Sequence, residues 1–499
     1  MTSSTDAPVH DVVIAGGTVV GPRDERALDV SIDGERISGL HEPGTAGPAK
    51  RTIDATGCLV VPGAIDPHVH YGMDFQGLLV TEGPEYSAAA VHGGTTTVID
   101  FAFQETKGPL DTLADRRAFL DGSMATDWSL HTILTREFSF EDIEQIGDVI
   151  RAGCPTIKTM MTYGWMSDDG RRYGAMCEVA EHGGLSLVHA EDDAIANWLH
   201  EKYKREGKQH ASYVSETRGP LVEEAAVRRA LFLAERAGSP LYVLHVAAGA
   251  AVDAIAEARS RGLPMYGETL SAYLSWTQEN MRDETPLIVD GKAWGPRGLL
   301  YNNFPVPKFP ADREQLWEAI LDDRLQVVAT DHCSTTLEDR MEKMGTTQDS
   351  MQAGQSAVEL RVELLYSMAV ATGRCSASRW VQLIATNPAQ LMGLAPAKGE
   401  IAVGADADVV VFDPARQWTV DWRELHMSVP YSCWDGQEMT GKVRDVLRRG
   451  EVLIDRGNYV GSTTGGHFIE RTLAPHVTAN PLDPSITAPG APAPAPAAA

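Results

Sequence analysis

Leu185-Ser186-Leu187-Val188-His189 and Leu241-Tyr242-Val243-Leu244-His245 are two short apolar runs, each closed by a histidine. Between them Val227, Ala230, Leu231 and Ala234 recur at i, i+3, i+4 and i+7, one face of an amphipathic helix. A buried strand, a helix and a second buried strand form a βα repeat, which predicts a parallel sheet or barrel. Working outward, the same texture appears at Thr96-Thr97-Val98-Ile99-Asp100-Phe101, Trp128-Ser129-Leu130-His131, Thr156-Ile157-Lys158, Pro264-Met265-Tyr266-Gly267-Glu268 and Gln326-Val327-Val328-Ala329-Thr330-Asp331. With a first strand at Ile65, this gives about eight strands in about 270 residues, the usual size of a (β/α)8 barrel. A doubly wound open sheet is the alternative architecture.

The two ends read differently. Val12-Val13-Ile14 and Ala27-Leu28-Asp29-Val30-Ser31-Ile32 are strand-like and are punctuated by turns at Gly16-Gly17 and Asp33-Gly34. The texture returns at Val409-Val410-Val411-Phe412 and Val452-Leu453-Ile454. The expected fold is therefore α/β: a TIM-like barrel over residues 63–398, flanked by a β-sandwich built from residues 1–62 and 399–474. The stretch 475–499 is rich in Pro, Ala and Thr and reads as a disordered tail.

Sixty-nine acidic residues against 43 basic ones leave a net charge of −26, which argues against a nucleic-acid partner. The six cysteines fall in no CxxC pair, which favours a reducing compartment over a disulfide scaffold. The first residues carry no apolar signal-like core, and no apolar run is long enough for a membrane span, so a cytoplasmic location is expected.

Chemistry collects at the C-terminal ends of the strand-like runs, where barrel active sites are built. In Ile65-Asp66-Pro67-His68-Val69-His70 the two histidines are two apart, so on a strand both imidazoles face one spot. His189, His245 and Asp331 each close a run. Taken singly, a histidine can hydrogen-bond in the core and Asp331 can cap a following helix. Five such residues at strand ends suit zinc or a similar divalent metal. Lys158 also ends a strand; its stem can run along the apolar wall to solvent, or its amine can take up carbon dioxide and offer two carbamate oxygens to bridge two metals.

The segment from Pro62 to Gly77 resembles the first metal motif of the hydantoinases and dihydropyrimidinases, cyclic-amide hydrolases of the amidohydrolase superfamily. Gly93-Gly94-Thr95-Thr96, Lys158 to Tyr163, Val188-His189-Ala190-Glu191, Gly267-Glu268-Thr269, Asp331-His332-Cys333 and Asn387-Pro388-Ala389 are similar to the same family, in the same order. The resemblance implies two divalent ions, usually zinc, with manganese, cobalt or iron as alternatives. It implies that His68, His70 and Asp331 bind one ion, that His189 and His245 bind the other, and that carbamylated Lys158 bridges them. Tyr163 matches the tyrosine that steadies the oxyanion; its alternative is an aromatic lid. Asp331 would carry the proton from the nucleophile to the leaving ring nitrogen. The implied protein is a homotetramer acting on a small cyclic amide and opening a hydantoin, dihydropyrimidine or related ureide or imide to an N-carbamoyl acid. An allantoinase, or another amide or urea hydrolase, is the neighbouring reading. A non-catalytic assembly protein of the same fold is the reading from a different class.

Two segments depart from the family pattern. Where it has Ser-Pro-Pro-Leu-Arg, this chain has Phe304-Pro305-Val306-Pro307-Lys308, with Phe304 at the serine. Where it has Asn-Gly-Gly-Pro-Gly, this chain has Gln352-Ala353-Gly354-Gln355-Ser356. Both bear on the substrate pocket, so Phe304 and Gln352 are expected substrate contacts beside Tyr163. Trp165 and Met166 are candidates for an aromatic lip, or for packing at an interface.

Overall fold

A computed structural model describes residues 9–75, 78–135, 138–342, 347–348 and 353–479. Eight parallel strands follow one another around the core: β1 (Ala64–Asp66), β2 (Thr95–Phe103), β3 (Asp127–Leu134), β4 (Thr156–Met160), β5 (Leu185–His189), β6 (Leu241–Val243), β7 (Met265–Leu270) and β8 (Val327–Ala329). Each pairs in parallel with the next. The ring is drawn together just beyond β8 and β1, where Val69 bridges His332 and Thr330 Oγ1 donates to Asp66 Oδ2 at 2.6 Å. The expected barrel is therefore present, and the open-sheet alternative is not.

Strands β3, β4 and β5 are buried along their whole length, as parallel strands are when helices cover one face and a packed interior the other. The helix Pro220–Ala237 starts on proline and stops at Gly238, whose φ is +71°. Its residues Val227, Ala230, Leu231 and Ala234 are all buried, so the periodicity in the sequence is the face that covers the sheet.

Both ends of the chain share one nine-stranded mixed sheet. Within it Leu59–Pro62 lies between His10–Val20, which runs parallel to it, and Val409–Thr419, which runs antiparallel. One residue separates this strand from β1. A Cβ on that residue, Gly63, would lie 2.2 Å from Thr96 Oγ1, so glycine permits the direct passage from sheet to barrel. The sheet has an apolar core that includes Ile14, Val30, Val60, Val411 and Leu447. Below the barrel the buried Lys398 ammonium contacts Asp127 at 2.8 Å and Asp408 at 2.6 Å, tying β3 to the sheet with charges that compensate one another.

One expectation needs correcting. Pro475–Thr478 is a short helix with Val477 fully buried, and the Val477 carbonyl accepts the Tyr266 hydroxyl at 3.2 Å, so residue 475 is too early a start for a tail. The rest of that stretch, residues 480–499, lies outside the described residues. All six cysteines are free, and no helix among the described residues is long and apolar enough to cross a membrane.

Candidate metal centre

His68 and His70 lie just past the end of β1, not on it. Their alternation survives because Val69 between them pairs with His332, which holds the backbone extended. Both imidazoles therefore turn to one carboxylate, with Nε2 atoms 3.0 and 3.2 Å from Asp331 Oδ1. Asp331 stands two residues beyond β8 and His245 two beyond β6, while His189 closes β5. The ligand atoms of His68, His245 and Asp331 all lie within 4.8 Å of one another. The His189 and His245 rings are 4.5 Å apart, centroid to centroid.

Lys158 sits in the middle of β4 and is buried, with Nζ 4.3 Å from the centre of the Phe101 ring. The alternative of a stem reaching solvent is thereby removed. Nor does Asp331 cap a helix, because the next described helical segment begins at Glu338. His70, Lys158, His189, His245 and Asp331 line one cavity of about 340 Å³, with His68 directly beneath.

Three residues of this mouth hold backbone angles that side chains seldom adopt: φ is +62° at Tyr163, +38° at His245 and +51° at Asp331. Such angles persist only where the surroundings enforce them, and they gather at functional sites. Tyr163 is further fixed by its hydroxyl, which donates to Glu191 Oε2 at 2.9 Å, and by the Arg218 guanidinium 4.3 Å above its ring.

The electrostatics favour ligands. Burial pushes His245 and His189 below the usual imidazole range and His70 down to about 3, leaving neutral rings with a lone pair to offer. Burial alone would raise the Asp331 carboxyl, but the His68, His70 and His245 rings override it and keep it ionised. His68 is the exception: against the effect of burial, Asp331 and Glu268 hold it up to about 9. A neutral imidazole set around one carboxylate is the donor chemistry of a divalent-metal site. His245 Nδ1 fits that reading, being buried without a hydrogen-bond partner.

The sequence reading passed over three supporting groups. Glu268 Oε1 lies 2.6 Å from His68 Nδ1 and accepts the His245 backbone N–H at 3.2 Å, orienting two histidines at once. Glu191 Oε2 takes both the Tyr163 hydroxyl and His189 Nε2, each at 2.9 Å. Arg218 faces Glu191 from the far side, 3.4 Å away. A signal existed in His189-Ala190-Glu191, two polar residues at strand spacing, and in Glu268 within β7.

Phe304 lines the cavity 5.0 Å from the Tyr163 ring. Trp165 is there too, edge-on to Phe103 at 5.7 Å. Gln352 lies outside the described residues; its neighbours Ala353 and Gly354 form part of the wall.

Residues 59–453 match the family described as the amidohydrolase family. The chain is 35% identical to a D-hydantoinase of Streptomyces coelicolor over 475 residues, which span 93% of this chain and 99% of that one. It is 34% identical to a D-hydantoinase of Geobacillus stearothermophilus, covering 92% and 96%. Among solved structures, the D-hydantoinase of Bacillus sp. AR9 superposes with a TM-score of 0.86 at 34% identity, covering 93% of this chain and 99% of that one. The dihydropyrimidinase of Brevibacillus agri NCHU1002 superposes with a TM-score of 0.87 at 32% identity, over the same shares.

Proposed function

The chain belongs to the amidohydrolase family and hydrolyses cyclic amides, and we propose that it does so with two divalent ions held by six side chains. His68, His70 and Asp331 would hold one ion and His189 and His245 the other, with Lys158 as a carbamate between them. Zinc is the proposed metal. Bound there, the ions would acidify a water and polarise a ring carbonyl.

The polypeptide supplies the rest. Burial pushes the Lys158 amine down to about 8, against the pull of Asp331 and Glu268, so more of it is neutral at physiological pH. The neutral nitrogen can form a bond to carbon dioxide and release one proton, giving an anionic carbamate; counted from the ammonium, two protons leave. Asp331 accepts the proton of the attacking water and delivers it to the leaving ring nitrogen. Tyr163 stays protonated, since burial holds its hydroxyl well above the ordinary range, and with substrate bound its one proton would turn from Glu191 to the oxygen on which charge develops. Phe304 shapes the substrate side, and Gln352 remains a proposed substrate contact on the resemblance alone. The products are an opened N-carbamoyl acid or its equivalent.

The observation that carries this reading is that the His68, His245 and Asp331 ligand atoms, from the ends of three different strands, meet within 4.8 Å. The relatives are D-hydantoinases and a dihydropyrimidinase, so the allantoinase and non-catalytic readings are not favoured. The proposal extends to a cytoplasmic homotetramer, on the family resemblance and the free cysteines. It also keeps the division into residues 63–398 and the pair 1–62 with 399–474. A substrate panel of hydantoins, dihydrouracil, allantoin, imides and phenylureas tests the function. Ring opening of hydantoins or dihydrouracil is expected; turnover of allantoin or phenylureas alone would contradict it.

A further inference from the structure

Asn303 is buried, lines the cavity beside Phe304, and its Nδ2 has no hydrogen-bond partner. An enclosed amide donor left unpaired is costly, and one that lines a cavity can be completed by what the cavity binds. The segment around it is held firmly. Arg340 binds the Asn302 carbonyl at 3.0 Å and the Leu300 carbonyl at 3.3 Å, and the Tyr273 hydroxyl donates to the Pro305 carbonyl at 2.5 Å. The carboxamide is thus presented from a rigid loop.

The remainder of the cavity defines what it can meet. Phe103, Ile133, Met160, Trp165 and Phe304 make its apolar side, and Lys158 is the one cation among the described residues that line it. A cyclic ureide or imide carries two carbonyls on one ring nitrogen. While one is attacked, the other needs a donor.

We propose that the Asn303 Nδ2 donates to the ring carbonyl that is not attacked. This rests on the hydrolytic reading, and its failure is separable from it. Asn303 is a specificity residue, and it adds to the Tyr163 hydroxyl a second neutral donor that fixes which carbonyl is attacked.

The test is steady-state hydrolysis of hydantoin and 5-phenylhydantoin by metal-loaded wild type, Asn303→Ala and Asn303→Asp. The aspartate keeps the shape and loses the donor, so a folding failure in one variant does not decide the matter. Both variants are expected to keep their metal and lose about tenfold in kcat/KM on the uncharged rings, mostly through KM. Variants within about twofold of wild type would overturn the proposal while leaving ring hydrolysis intact. A metal-loaded wild type that opens none of the rings would overturn the parent reading, and this one with it.

Discussion

Glu82 Oε2 lies 2.5 Å from His332 Nε2, and both side chains are fully enclosed. The pair is adjacent to the metal-site residues in two ways: His332 follows Asp331, and its carbonyl accepts the His70 backbone N–H at 2.8 Å. Glu82 uses its other oxygen to accept the Ser428 N–H, so one carboxylate ties a distant loop to the mouth of the barrel. Glu82→Gln is expected to lower metal affinity or kcat/KM by about tenfold, the low end for groups that orient ligands, because Glu82 reaches the proposed ligands only through His332. Metal titration of the purified variant checks this; wild-type affinity and activity would show the pair to be packing alone.

Tyr163 lines the cavity with a φ of +62°, and its hydroxyl donates to Glu191. If it donates to the developing oxyanion, Tyr163→Phe should cost about 10²–10³-fold in kcat with little change in KM. A loss confined to KM would instead mark Tyr163 as a lid.

Lys158→Ala removes the proposed bridge without opening the fold, since its neighbours on β4 are buried independently of it. Bound metal should fall, and activity should drop by about 10²-fold or more. Short carboxylic acids such as acetate should restore part of it. On the wild type, intact mass measured without acid should exceed the sequence mass by one carbon dioxide. Unchanged activity in the variant would refute the bridge.

How much of this was legible follows from where each residue sits. His189 could be read because it closes an apolar run, and the ends of such runs are where a barrel exposes its chemistry. The same reasoning reached His68, His70, His245, Asp331 and Lys158. It could not reach Glu82, which sits in a loop and meets His332 across 250 positions of sequence. Glu268 meets His68 across 200. No periodicity encodes such pairings; only closure of the barrel brings them about. Asn303 was hidden for another reason, since an asparagine in a loop reads as turn chemistry until an enclosed, unpaired amide is seen. The strained backbone of Tyr163 was likewise invisible, because tyrosine is not a residue in which a positive φ is presumed.

Glu363 provides a pH-dependent prediction away from the site. Burial pushes its carboxyl up to about 8, and its Oε1 accepts the Val443 N–H at 2.9 Å. Below the ordinary carboxyl value of 4.5 the group is protonated in both states, and the stability it contributes is fully present. As pH rises from there toward about 8 the unfolded chain releases the proton and the folded one keeps it, so that contribution is progressively lost. Glu363→Gln, which keeps the acceptor and cannot ionise, should melt progressively higher than wild type as pH is raised across this window. A melting-temperature difference that stays constant with pH would contradict the assignment.

The central claim is that the imidazoles and carboxylate at the barrel mouth hold two metals that the reaction requires. Elemental analysis of the purified protein, paired with hydantoin hydrolysis before and after chelation, tests it most directly. The account predicts about two divalent ions per chain, loss of ring opening when they are stripped, and recovery on adding zinc back. Protein without stoichiometric metal that opens the ring undiminished in the presence of chelator would contradict it.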